Sequence, residues 1–133
     1  QAINTDTTNN SDIVKIQKQT ESITYASLEG KLDAYYIHTV NLDAVMNRFG
    51  ARDCLLDIQK LKFIDSTGLR LLYKLQRYLK AYDKKLILIN PTDTVQQLFN
   101  IMNLNVFFNL GKTELINRII QNDLSQIDHG ERL

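Results

Sequence analysis

Polar and apolar positions along this chain follow two periods, and the period switches at punctuating residues. Asp12 to Gln19 (DIVKIQKQ) and Ser22 to Gly30 (SITYASLEG) read as two short strands separated by Thr20-Glu21. In the second, Ile23, Tyr25 and Ser27 alternate with Thr24, Ala26 and Leu28, and Gly30 ends the run, so the two strands form an antiparallel pair. Residues 34–49 carry Ile37, Val40, Ala44, Val45 and Phe49 at helical spacing, with Asp33 placed to cap the start and Gly50 to stop the end. The compact apolar run CLLDI, 54–58, suits a central strand. A second helix is predicted from Thr67 to Tyr82, with Leu72, Leu75, Leu79 and Tyr82 on one face. KLILIN, 85–90, is a strand buried on both faces and closed by Pro91. Thr94, with Gln97 three residues on, opens a third helix with Val95, Leu98, Phe99 and Met102 as its stripe. NVFFNL, 105–110, is a last short strand, and 112–122 a fourth helix with Leu115, Ile116, Ile119 and Ile120 inward. The order β-β-α-β-α-β-α-β-α predicts an α/β fold whose mixed, mostly parallel sheet has about five strands, with about four helices. Residues 1–11 read as a disordered lead, 12–122 as one domain, and 123–133 as a flexible tail.

Composition narrows the class. A chain of 133 residues buries roughly two-thirds of its unfolded surface, enough for a core without staples. With 44% hydrophobic and 23% charged residues it is ordinary for a soluble protein. Sixteen basic and fifteen acidic residues leave a net charge of +1, which argues against a nucleic-acid partner. The single cysteine, Cys54, allows no intrachain disulfide and fits a reducing cytoplasm. No apolar run approaches the ~18 residues of a membrane span, and the first residues lack the apolar core of a signal peptide.

The candidate chemistry centres on Asp65-Ser66-Thr67-Gly68, which lies between a strand-like segment and the second helix. The carboxyl end of a parallel strand entering a helix is where sites form in open α/β sheets. Helix-start N–H groups and the macrodipole favour a negative group there. A phosphate on Ser66 would add about −1.5 to −2 charge beside Asp65, tolerable to the fold and repellent to a partner surface built for a neutral hydroxyl. From the residues alone the plain N-cap is the favoured reading, with Asp65 or Ser66 as the cap and Gly68 giving room for packing.

Other chemistries find less support. Ser66 is bracketed by Ile64 and Gly68 rather than two glycines, and the histidines, His38 and His129, have no reason to approach it, so no catalytic triad is expected. Gly111-Lys112-Thr113 resembles the end of a P-loop, but Val106 stands where the first glycine belongs. Metal-ligand spacing is missing, and no cofactor is expected. Arg70, Lys74 and Arg77 line one outward stripe of the second helix, starting beside Ser66, as a solvated face or a surface for an acidic partner. Cys54, in a central strand, reads as an inert buried thiol.

LDIQKLKFIDSTGLRLL resembles the signature of the STAS domain family of bacterial anti-sigma factor antagonists, in which a strand runs into Asp-Ser-Ser/Thr-Gly-Leu at a helix start. LEGKLD, Leu28 to Asp33, resembles the family's earlier Gly-Glu-Leu-Asp segment, and LILINPTDTVQQLFNIMNLNVFF its later strand-helix-strand stretch. The likeness spans roughly residues 12–122. It implies helices packed mainly on one side of the sheet, and a role in partner switching. The implied phosphorylation site is Ser66, modified by a serine kinase that doubles as an anti-sigma factor. The unphosphorylated domain binds that kinase and frees the sigma factor; the phosphorylated domain lets go, and a phosphoserine phosphatase resets it. The implied docking surface takes in Asp33, Asp65, Ser66, Thr67 and Gly68, and the adjoining stripe adds Arg70 and Lys74. Lys31 stands where the family has glutamate, and Arg70 where a small residue is common, so the partner is less firmly implied than the site. Two other readings remain: a non-switching STAS scaffold or accessory subunit of a stress-sensing or transport complex, and a small enzyme or nucleotide-binding protein, against which the failed P-loop and missing triad argue.

Overall fold

The computed structural model describes residues 12–104 and the strand at 109–111. Strands β1 (Val14–Gln19) and β2 (Ile23–Leu28) are joined by a tight turn in which the Thr20 hydroxyl accepts the N–H groups of Ser22 and Ile23, at 3.3 and 3.1 Å. They pair antiparallel, Val14 opposite Leu28, with a register slip between Ile16 and Lys18. After β3 (Gly30–Leu32) come helices α1 (Ala34–Thr39) and α2 (Leu42–Phe49), then β4 (Asp53–Asp57), β5 (Leu61–Ile64), α3 (Leu69–Ala81), β6 (Leu86–Ile89), α4 (Asp93–Ile101) and β7 (Asn109–Gly111). The main sheet has five strands in the order β1-β2-β4-β6-β7, with every pair parallel except the first. This is the mixed, mostly parallel sheet expected, with four helices among the described residues.

Alternation along the central strands sorts their side chains to two faces. Ala26, Leu28, Cys54, Leu56, Leu86 and Leu88 face one way and join the buried residues of all four helices in one core. Phe49, Leu72, Leu75, Leu79 and Phe99 are fully buried within it. Ile23, Leu55 and Ile89 form a smaller cluster on the opposite face with Tyr25 and Ile87. Among the described residues the helices therefore pack on one side of the sheet, as the parallel crossovers require.

Several boundaries differ from the sequence reading. The helix expected over 34–49 is two helices, because Val40 and Asn41 both take extended backbone; Asn41 then caps α2 through a bond from the Ala44 N–H at 3.1 Å. The third helix is capped by Thr92, not Thr94, its hydroxyl accepting from the Val95 N–H. Tyr82 is 55% exposed rather than on the buried face, resting edge-on against Tyr78. The strand leading into the quartet is β5, which pairs parallel with β3 in a separate two-stranded sheet, not the central β4. The expected lead, most of the NVFFNL strand, the helix over 112–122 and the tail lie outside the described residues.

Candidate functional site

Two short strands carry the chain into the quartet. In β3 and β5, Leu32 stands opposite Ile64, both fully buried, so the residues that follow each strand emerge side by side. The Asp65 N–H donates to the Leu32 carbonyl oxygen at 3.3 Å and extends the pairing by one step.

The Asp65 carboxylate then serves two helix starts. Oδ1 accepts the Gly68 N–H at 2.7 Å, closing the turn that opens α3; Oδ2 accepts the Ala34 N–H at 3.1 Å, at the start of α1. Each bond satisfies a donor that a helix end would otherwise leave open. The Leu69 N–H completes the turn by donating to the Asp65 carbonyl oxygen at 3.0 Å. Asp33 caps α1 separately, accepting the Tyr36 N–H at 3.0 Å.

Gly68 is buried where the start of α3 meets the end of β3. A Cβ there would lie 1.8 Å from the Leu32 carbonyl oxygen and 3.1 Å from the Asp33 nitrogen. Only a residue without a side chain lets the two backbones approach this closely. The glycine is thus a packing requirement, and its φ of −62° is ordinary helix.

With capping done by Asp65, Ser66 is left free. It is exposed, and its hydroxyl has no hydrogen bond to any described residue. Thr67 is half-buried next to it. The choice left open by the sequence, cap or site, resolves residue by residue: Asp65 is the cap, and Ser66 is a hydroxyl presented to solvent.

The structure therefore brings Asp33, Asp65, Ser66, Thr67 and Gly68 into one cluster where the starts of α1 and α3 meet. Arg70 lies four residues beyond Ser66, exposed. Lys74 lies one turn further along α3, with Nζ 3.3 Å from Asp43 Oδ1 of α2. Two exposed aromatics beside the cluster escaped the sequence reading. Tyr35 is 78% exposed on α1, one residue past Ala34, and Phe63 is 42% exposed on β5, opposite Lys31 in the register. Lys31, Lys62 and Arg70 are exposed as well.

Other candidates settle as structural. Cys54 is buried, and burial together with the charge of Asp53 pushes its thiol well above the usual range, leaving it protonated. Tyr36 donates its hydroxyl to Asp12 at 2.7 Å, and Asp12 also pairs with Arg48, tying the start of β1 to α1 and α2. Among the described residues no group of His, Cys, Asp and Glu could hold a metal, and no helix is long and apolar enough to cross a membrane. Gly111 ends β7, while Lys112 and Thr113 lie outside the described residues.

Known proteins share the fold. The family model of the STAS domain matches residues 14–115. The anti-sigma-B factor antagonist of Staphylococcus aureus is 30% identical over 76 residues, covering 56% of this chain and 70% of that protein. The unphosphorylated form of the anti-sigma factor antagonist SpoIIAA superposes with a TM-score of 0.56 at 22% identity, covering 80% of this chain and 96% of the other. The phosphorylated form of SpoIIAA, the Bacillus cell fate determinant, gives 0.55 at 24% identity over 80% and 98% of the two chains. At these identities the two structures speak for the fold, while the matches in sequence speak for the family. The family model matches most of the chain, and the chain belongs to the STAS domain family.

Proposed function

We propose that this chain is an anti-sigma factor antagonist that works by partner switching, with Ser66 as its phosphorylation site. One observation carries the reading most: Ser66 is exposed at a helix start whose capping is already done by Asp65, so its hydroxyl is open to a kinase without cost to the fold. The names of the Staphylococcus aureus relative and of SpoIIAA, which has both unphosphorylated and phosphorylated forms, support it.

In this reading the unphosphorylated chain docks on an anti-sigma factor that is also a serine kinase. The docking surface is the cluster of Asp33, Asp65, Ser66, Thr67 and Gly68, bordered by Arg70 and, further along α3, Lys74. Asp33 and Asp65 hold the two helix starts in place; Ser66 and the exposed Tyr35 and Phe63 make the contact. The kinase brings the nucleotide and this chain offers only a hydroxyl, so it needs no catalytic group or cofactor of its own. A phosphate then places about two negative charges at the centre of the interface, next to the Asp65 carboxylate. Burying that charge against a surface shaped for a hydroxyl expels the partner, and a phosphoserine phosphatase restores the first state. Such a circuit operates in the cytoplasm.

The test is a paired capture from lysate of the native host, with Ser66→Ala and Ser66→Asp as baits. A serine kinase retained by Ala and lost by Asp is the expected result. Partners held equally by both would replace this reading with that of a non-switching scaffold or accessory subunit.

A further inference from the structure

Arg70, Lys74 and Arg77 do not face open solvent uniformly. They border a trough between α2 and α3 with a volume of about 770 Å³, floored by Leu42, Met46, Tyr73 and Tyr78. Arg70 and Arg77 are exposed, and their guanidinium groups make no hydrogen bond or ion pair with any described residue. They stand seven residues apart on α3, two helical turns, roughly 10 Å along its axis. Lys74, between them, is drawn to Asp43 of α2 at 3.3 Å, the one carboxylate among the described residues that line the trough. The trough thus has an apolar floor, two guanidinium groups without a partner among the described residues, and an internal carboxylate that already occupies the middle cation.

We propose that the α2–α3 trough is a second docking surface, for an acidic amphipathic helix of a protein partner. A helix laid along it would seat an apolar ridge on Met46 and the two tyrosines and present carboxylates two turns apart to Arg70 and Arg77. The trough is open along its length, so a small anion would remain largely hydrated, unlike ligands in enclosed sites. Asp43 disfavours a polyanion such as nucleic acid, and the chain's net charge of +1 provides no broader field for one. The inference rests on the proposed function only in taking the chain as a protein-binding domain; the trough shares Arg70 and Lys74 with the border of the first surface and does not include Ser66.

A synthetic helical peptide with glutamates at positions i and i+7 and a leucine ridge is the probe, titrated into isotope-labelled protein by amide NMR, with Ser66→Ala as the host. Expected are shifts concentrated on Met46, Tyr73 and Arg77. Binding should weaken about tenfold or more in Arg70→Glu/Arg77→Glu and tighten about two- to threefold in Asp43→Asn, which frees Lys74. A lysine version of the peptide should bind the charge-reversed protein better than the native one. Equal binding of the lysine version to native protein, an unchanged affinity in Arg70→Glu/Arg77→Glu, or the same footprint from a single-stranded oligonucleotide would each overturn the proposal. Because Ser66 is absent from the host, failure here would leave the phosphorylation reading standing, and failure of the paired capture would leave this one standing.

Discussion

At the residue scale the site is built from one carboxylate and one missing side chain. Asp65 holds two helix starts through separate oxygens. Asp65→Ala loses both bonds and should cost about 2–3 kcal/mol in urea unfolding, whereas Asp65→Asn, keeping one acceptor, should recover about half. Gly68→Ala forces a Cβ against the Leu32 carbonyl oxygen, a backbone atom that cannot turn aside. We expect a loss of about 3 kcal/mol or more, seen as a lower urea midpoint at unchanged slope. Ser66 behaves oppositely. It is exposed with no hydrogen bond to a described residue, so Ser66→Ala and Ser66→Asp should each shift stability by no more than about 0.5 kcal/mol. That contrast separates a residue kept for the fold from one kept for a partner.

At the element scale the legible parts were those with enough residues to show a period. β2, β4 and β6 are runs of alternating or continuous apolar residues, and α3 repeats its leucines over thirteen residues. What the pattern hid was short. β3 and β5, three and four residues long, carry too few side chains to declare a period, yet they aim the chain into Asp65. The split between α1 and α2 was hidden because Val40, Ala44 and Val45 keep helical spacing across the break, although Ala44 is exposed. The signal was Asn41, a capping residue inside an otherwise helical pattern. Asn41→Ala should therefore destabilise by about 1 kcal/mol, read by thermal unfolding, where an uninterrupted helix would gain from the same change. The quartet itself was legible as a candidate, but not which of its residues was the cap, because that depends on Ala34, thirty-one positions away.

At the scale of the whole molecule, the protonated groups of the core set an alkaline limit. Burial first, then the charge of Asp53, raises the Cys54 thiol above its ordinary 9.0. Burial first, then the hydrogen bond and charge of Asp12, raises Tyr36 above 10.0, with Arg48 opposing. A raised folded value means that the unfolded chain loses its proton first, so stability is intact below these ordinary values and falls as pH rises past them. Unfolding midpoints should decline from about pH 9, and Cys54→Ala should flatten the first part of that decline by up to about 1.4 kcal/mol per pH unit. Near neutral pH these groups are silent, and the proposed switch changes the charge of the surface while leaving the core alone. The most direct measurement is calorimetric titration of the serine kinase retained by the Ser66→Ala bait against this chain, with and without phosphate on Ser66, alongside urea unfolding of both forms. The account predicts binding at least about tenfold weaker for the phosphorylated chain, a difference of about 1.4 kcal/mol, at a nearly unchanged unfolding midpoint. Equal affinity for the two forms, or weaker binding that tracks a loss of folded structure, would contradict it.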